Sequence, residues 1–278
     1  DINPDPKHYI CLMQKTFTDQ LGREVIIPYP PQRIVSLVPS QTELLFDLGL
    51  NREVVGRTKF CIHPEQVHAV TKIGGTKNLN IEAIRQLKPD LIIGNKEENE
   101  KEQIEVLMQE FPVWMSDIHT LDDAKQMIAQ VGALVDRQPE AEYLNHLINS
   151  GFNDLQVLAL QHNIRERVAY FIWRDPYMLA GKRTFIDHLL AVNGMENVVT
   201  GPRYPAFTAE ELGNLNPDWV FLSSEPYPFK ESHFEEIYKI WPRARIRIVD
   251  GEMFSWYGSR LVKAVQYFFE IQKGFYIK

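Results

Sequence analysis

The sequence predicts an α/β protein of two Rossmann-like lobes, each built on a mostly parallel sheet, joined by one long α-helix with a cleft between the lobes. Three observations predict it. A pattern occurs once in each half. Asn80-Ile81-Glu82-Ala83-Ile84-Arg85-Gln86-Leu87-Lys88-Pro89-Asp90-Leu91-Ile92-Ile93 returns as Thr208-Ala209-Glu210-Glu211-Leu212-Gly213-Asn214-Leu215-Asn216-Pro217-Asp218-Trp219-Val220-Phe221. Both copies open on a polar capping residue, place a Glu two positions on and pass through Leu-x-Pro-Asp into an apolar run, which reads as a helix feeding a buried strand. Apolar runs of strand length alternate with helix-length segments, the rhythm of a parallel sheet with helices on both faces. Between the halves, residues 139–165 read as helix with only Gly151 interrupting.

The elements follow in order. Phe17 to Val25, with Gly22 at the turn, reads as a hairpin that Pro28, Pro30 and Pro31 stop from continuing. Arg33 to Val38 is a buried strand. Ser40 and Glu43 have capping-box spacing at the start of a helix running from Gln41 to Leu48, and Gly49 ends it. Val54-Val55-Gly56 and Leu91 to Gly94 are strands, Glu97 to Phe111 a charged surface helix, and Val113 to Met115 a short strand. In the segment 139–165, Pro139 suits a first helical turn and Glu140 and Glu142 complement its dipole. Leu144, Leu147, Ile148, Phe152, Leu155, Leu158 and Ala159 make one apolar stripe. Such a helix would span about 40 Å and stiffen the connection. Beyond it come strands at Val168 to Ile172, Trp219 to Leu222 and Ile246 to Val249, a helix from Thr184 to Val192, and a closing amphipathic helix from Ser259 to Gln272. The expected divisions are an N-terminal extension (1–16), a first lobe (17–138), the connecting helix (139–165) and a second lobe (166–278).

Composition narrows the function. The chain has 278 residues, with 30 Lys and Arg against 37 Asp and Glu, a net charge of −7. It has no long basic run or basic-aromatic cluster, so nucleic acid is not an expected partner. No apolar run reaches the length of a spanning helix. Cys11 and Cys61 are too few for a disulfide framework and lack metal-ligand spacing. The segment Asp1 to Leu12 has no signal-peptide pattern, and His8-Tyr9-Ile10 puts no small residue before Cys11. Met13 reads equally as an internal methionine or a translation start.

Enzyme signatures are missing. Gly181-Lys182-Arg183-Thr184 has Pro176 where a Walker loop needs Gly, and Gly74-Gly75 lacks dinucleotide spacing. There is no Gly-x-Ser-x-Gly elbow. His63 and His68 lie in a loop-like segment and read as solvent-facing before metal-binding. Aromatic residues instead gather in loops expected at the cleft: Phe60, Trp173, Tyr177, Tyr204, Phe207, Phe254, Trp256 and Tyr257. They suit a large flat ligand, and equally the capping of sheet edges. Arg57, Lys59, Lys77, Arg174 and Arg203 lie among them, placed either to meet an anionic group or to stay solvated. Glu82 and Glu210 occupy matched first-turn positions. Either they complement helix dipoles, or they dock one lobe each onto basic sites of a partner.

Arg33-Ile34-Val35-Ser36-Leu37-Val38-Pro39-Ser40-Gln41-Thr42-Glu43-Leu44-Leu45, the two Leu-x-Pro-Asp segments and Trp173-Arg174-Asp175-Pro176 resemble substrate-binding proteins of ABC importers. The class is the one with a helical backbone between lobes, serving cobalamin, haem and ferric siderophores. The resemblance spans nearly all of residues 17–272 and is nearest to the cobalamin-binding members. It implies a non-enzymatic, monomeric receptor, periplasmic or on the cell surface. Such a receptor delivers a metal-containing ligand to a membrane permease, with Glu82 and Glu210 pairing to permease arginines. Cobalamin or a related corrinoid is the favoured ligand, with haem and ferric siderophores as alternatives. Phe60 falls where those members have a ligand-facing aromatic residue, Tyr204 where they have a tryptophan, and Phe254 in their last ligand loop. Thr76 and Asn95 stand where well-known members have tryptophans lining the cleft, and Glu252 stands where they have an aspartate. With Lys77, Trp173, Arg174 and Trp256, these make the expected ligand set. The ligand would carry its own metal, so neither a cofactor nor a protein metal site is expected. A rival reading, an intracellular enzyme or chelatase on the same two-lobed scaffold, also fits a chain with no export signal at its start. A third is a structural or protein-interaction module with an empty cleft.

Overall fold

The computed structural model describes residues 13–276. The readings at Cys11 and in the segment 1–12 lie outside it. The chain forms two compact units, one running to Asp117 and including Gln130–Gln138, the other made of Ile118–Ala129 and everything from Pro139.

The first unit opens with the hairpin β1 (Met13–Thr18) and β2 (Glu24–Tyr29), which form a two-stranded antiparallel sheet. The hairpin starts earlier than the sequence suggested, and β2 continues through Pro28. A two-stranded ribbon has only edge strands, where a missing N–H is tolerated. Buried Asp19 holds the turn by accepting from the Leu21 and Arg23 amides, both at 2.9 Å, and from the Arg23 guanidinium. There follow β3 (Ile34–Ser36), α1 (Pro39–Asp47), β4 (Val54–Arg57), β5 (Thr71–Lys72), α2 (Ile81–Leu87), β6 (Leu91–Asn95), α3 (Lys101–Met108) and β7 (Val113–Ser116). The sheet order is β5-β4-β3-β6-β7, all parallel. β3, β6 and β7 are buried along their whole length, as strands covered on both faces must be. The chain leaves β3 toward β4 on one side and returns to β6 on the other. The C-terminal ends of β3 and β6 therefore flank a topological switch point, where open α/β sheets bind ligands.

Two local expectations give way. α1 starts at Pro39, with Val38 as a cap lacking any side-chain bond, and the Ser40 hydroxyl is buried without a hydrogen-bond partner. Proline at the first helical position leaves Ser40 inside the helix, where it cannot cap. α3 is shorter than predicted because the Asn95 side chain accepts from the amides of Glu97 and Glu98 and folds them into a turn.

The division between units falls inside α4 (Leu121–Leu134). Then comes α5 (Gln138–Gln161), 24 residues or about 36 Å long, which buries Ile148, Phe152, Leu155 and Ala159 of the predicted stripe. It ends before Asn163, whose φ is 47°. The second unit continues with β8 (Arg167–Trp173), β9 (Tyr177–Leu179), α6 (Phe185–Val192), β10 (Glu196–Asn197), β11 (Ala206–Phe207), α7 (Ala209–Gly213), β12 (Trp219–Ser223), α8 (Phe234–Ile240), β13 (Arg245–Val249), α9 (Gly251–Ser255) and α10 (Leu261–Tyr276). Its six-stranded sheet has the order β11-β9-β8-β12-β13, with β10 also on β8. β8, β10, β12 and β13 are parallel, while β9 and β11 are antiparallel additions. α10 packs closely on α5 because Gly151 is bare: a Cβ there would lie 2.6 Å from a Val265 methyl.

The repeated segment does the same work in both units. Asn80 and Thr208 cap α2 and α7 through the amides of Ala83 and Glu211. Lys88 and Asn216 both adopt positive φ, 46° and 48°, before the proline. Asp90 then accepts from the amides of Gln32 and Arg33, both at 2.8 Å, and Asp218 accepts from that of Arg167 at 2.9 Å. Each of these arginines turns back onto the repeat, Arg33 to the Leu87 carbonyl and Arg167 to those of Leu215 and Asn216.

Candidate functional site

In the first unit the C-terminal edge of the sheet gathers Phe60, Thr76, Lys77 and Asn95. The loop after β4 is tied to the loop after β5 by the Lys59 amide, which donates to the Gly74 carbonyl at 2.7 Å. Phe60 is 50% exposed, with the Lys59 ammonium 5.0 Å from its ring centre. The ring rests on bare Gly75, where a Cβ would stand 3.3 Å away. Lys77 is directed elsewhere: its ammonium donates to the Glu97 carbonyl at 2.6 Å and lies 3.4 Å from Glu100. Thr76 and Asn95 are buried. The Thr76 carbonyl accepts from Asn99, and Asn95 joins a neutral network with Asn99, Ser116 and Gln41.

In the second unit Trp173 and Arg174 stand at the end of β8, and Trp256 follows α9 beyond the end of β13. Trp173 is 39% exposed, sits edge-on to Tyr227 at 5.7 Å and donates through Nε1 to the Asp175 carbonyl. Arg174 donates to Glu236 at 2.9 and 3.1 Å, and the Tyr177 hydroxyl donates to the other Glu236 oxygen. Burial, followed by that carboxylate, pushes the Tyr177 hydroxyl up to about 12. Burial also works against ionisation of Glu236, but the bonds from Tyr177 and Arg174 outweigh it and lower its pKa. These groups line an open groove of about 400 Å³ with Phe207 and Thr208. Tyr204 is half-buried, with the Arg203 guanidinium 5.8 Å from its ring.

Phe254 has a different place from the loop position its neighbours suggested. It is fully buried, with ring centres 4.9 Å from Phe268 and 5.0 Å from Tyr170. A short helix, α9, turns it into the core. Trp256 is only 7% exposed; its Nε1 donates to Glu225 at 3.0 Å, and the Arg260 guanidinium lies 4.7 Å from its ring. Arg260 pairs with Glu252 at 2.7 Å. Glu225 and Glu236 were missed by sequence reading. The signal for Glu225 was an acid directly after an apolar strand run, in Ser223-Ser224-Glu225-Pro226.

Glu82 and Glu210 stand in the first turns of α2 and α7, both exposed. They differ in company. Glu82 lies 3.6 Å from Arg85, which Glu110 grips at 2.5 Å. The Glu210 carboxylate takes no ion pair among the described residues. No group of three or more His, Cys, Asp or Glu among them is placed to hold a metal, and no described helix is long and apolar enough to cross a membrane.

Known proteins are similar to this chain in sequence or in fold. The uncharacterized ABC transporter substrate-binding lipoprotein YvrC of Bacillus subtilis (strain 168) is 27% identical over 90% of this chain and 83% of its own length. A vitamin B12-binding protein of Pectobacterium atrosepticum is 24% identical over 85% of this chain and 86% of its own. The apo form of the periplasmic haem-binding protein RhuT from Roseiflexus sp. RS-1 shares the fold, with a TM-score of 0.77 and 23% identity over 88% of this chain and 98% of that one. The sequence pattern of the family described as periplasmic binding protein matches residues 34–237, and the chain belongs to that family.

Proposed function

We propose that the chain is the substrate-binding receptor of an ABC importer, taking a metal-containing ligand and presenting it to a membrane permease. The observation that carries the reading is the placing of exposed rings, Phe60 in one unit and Trp173 in the other, at the C-terminal edges of the sheets. Large rings held there by loops give contact area at low entropy cost. The relatives named for vitamin B12 and haem binding support a tetrapyrrole-like ligand, and the sequence resemblance favours cobalamin or a related corrinoid. A ferric siderophore is the alternative within the same class. In this reading Phe60, Trp173 and Tyr204 touch the ligand, Lys77 and Arg174 border it, Thr76, Asn95 and Trp256 hold the loops in place, and Phe254 belongs to the core behind them. The ligand brings its metal, the chain performs no chemistry on it, and the receptor works outside the cytoplasmic membrane as a monomer.

Glu82 and Glu210 dock the two units onto permease arginines. Replacing both by Gln should abolish ligand uptake by cells and leave the affinity of the purified protein unchanged. A parallel fall in affinity would remove the docking role. The ligand itself is tested by titrating the purified protein with cobalamin, cobinamide, haem and a ferric siderophore panel while following tryptophan fluorescence. Saturable quenching by one class identifies the cargo, and silence from all of them overturns the receptor reading.

A further inference from the structure

Glu225 follows β12 at the C-terminal edge of the second sheet, between the ends of β8 and β13. Its Oε1 accepts from Ser255 Oγ and Trp256 Nε1, both at 3.0 Å. Both donors are neutral, and no Lys or Arg among the described residues pairs with it. The neighbouring cations are committed elsewhere, Arg260 to Glu252 at 2.7 Å and Arg174 to Glu236 at 2.9 Å. Asp250 is engaged in capping α9 through the Glu252 amide. Burial pushes the Glu225 carboxyl up, with Glu252 and Asp250 adding to it against the bonds from Ser255 and Trp256. The loop carrying Glu225 runs beside Trp173: the Tyr227 amide donates to the Ile172 carbonyl, and the Tyr227 ring meets that of Trp173.

A carboxylate in this setting offers acceptor capacity at Oε2 and no compensating positive charge. An ionised carboxylate only accepts, and at a half-buried position it repels a second anion more strongly than it would in water. We propose that Glu225 is a specificity-determining residue: this edge accepts hydrogen-bond donors of the ligand, primary amides above all, and turns away carboxylates and other anionic groups. The inference rests on the receptor reading and deepens it. A corrin ring is surrounded by amide side chains, haem carries two propionates, and a ferric tris-catecholate is polyanionic, so the carboxylate favours corrinoids over the other two classes.

The test titrates wild type and Glu225→Gln with cyanocobalamin, cobinamide, haemin and a ferric tris-catecholate, with thermal melting as a parallel readout. Cobinamide keeps ring amides and lacks the phosphate-bearing nucleotide. Wild type should bind both corrinoids more tightly than either anionic ligand. Glu225→Gln keeps an acceptor oxygen for Ser255 and Trp256 and removes the charge. It should weaken corrinoid binding about tenfold or more and narrow the gap to haemin. Ser255→Ala loses one supporting bond without touching the charge, and should lower the melting temperature while keeping the preference for corrinoids. A wild type that prefers haemin or the catecholate overturns the inference, as does a Glu225→Gln corrinoid Kd within about twofold of wild type. So does a preference lost equally in Ser255→Ala. All three outcomes leave the receptor reading standing, because a metal-containing ligand is still bound. Silence from all four ligands removes the reading and the inference together.

Discussion

At the start of β3 and of β8 the two units carry the same clamp, an aspartate from Leu-x-Pro-Asp on backbone amides at or just before the strand's first residue and an arginine reaching back to the repeat. At the opposite ends of the same sheets they part. The first unit closes the buried side of its edge with neutral groups, Asn95, Asn99, Ser116 and Gln41, bonded to one another, and keeps its ion pairs there, Lys77–Glu100 and Lys96–Asp117, largely exposed. The second closes its edge with the ion pairs Arg174–Glu236 and Arg260–Glu252 and with Glu225. The cores differ as well. Around β3 and β6 the buried side chains are mostly aliphatic, whereas Tyr170, Phe171, Phe221, Phe254 and Phe268 fill the second unit. Strand starts need only a satisfied backbone, so one device serves both units. Strand ends face the ligand in this fold class, and charge there is what can differ without unsettling the scaffold.

Four measurements break or sharpen this comparison. Phe254→Ala should cost about 3–5 kcal/mol in denaturant unfolding, because it empties an aromatic core position, while the folded fraction keeps its ligand affinity. Lost affinity at unchanged stability would return Phe254 to the ligand edge. Asp90→Ala removes two charge-assisted bonds to exposed backbone amides and should cost about 1–3 kcal/mol; Asp218→Ala removes one and should cost less. Equal losses would show that the clamps are balanced differently from their bond counts. Trp173→Ala should weaken ligand binding about tenfold in the titration, and more than Thr76→Ala, whose side chain is buried beneath the first edge. The reverse order would move the binding energy to the first unit.

The smallest effect is a pH dependence. Burial, with Glu252 and Asp250 behind it, raises the folded-state pKa of Glu225 above its unfolded value. Such a group lends stability that is fully present below the unfolded carboxyl value and is lost as pH rises through the folded one. Glu225→Gln should therefore gain stability relative to wild type in the window that opens at the unfolded carboxyl value of about 4.3 and closes above the raised folded one, in urea unfolding. A flat difference across that window would mean that the carboxyl ionises as freely in the folded chain as in the unfolded one.

Much of the scaffold was legible. The runs Leu91 to Gly94, Val168 to Ile172 and Trp219 to Leu222 are strands because β-branched and aromatic residues continue without a polar break, the mark of a strand covered on both faces. Gly49 ends α1 at a φ of 84°, and the stripe of α5 is buried where its spacing placed it. Local competition was harder to read. Ser40 and Glu43 have the spacing of a capping box, but Pro39 took the first helical position and moved the cap to Val38. Asn95 claimed the amides that would have begun a longer α3.

The sequence by itself determined the alternation of strands and helices, the matched halves and the matched acids Glu82 and Glu210, because periodicity and capping depend on neighbours along the chain. Only the tertiary structure decided which loop aromatics face outward. Phe60 stays exposed on a bare glycine, while Phe254 is drawn among Tyr170, Phe221 and Phe268. It also decided which charges remain available: Glu82 shares Arg85 with Glu110, and Arg174 is given to Glu236, sixty-two positions along the chain. Pairings over such separations are set by where the sheet brings strand ends together, and nothing local in the sequence encodes them.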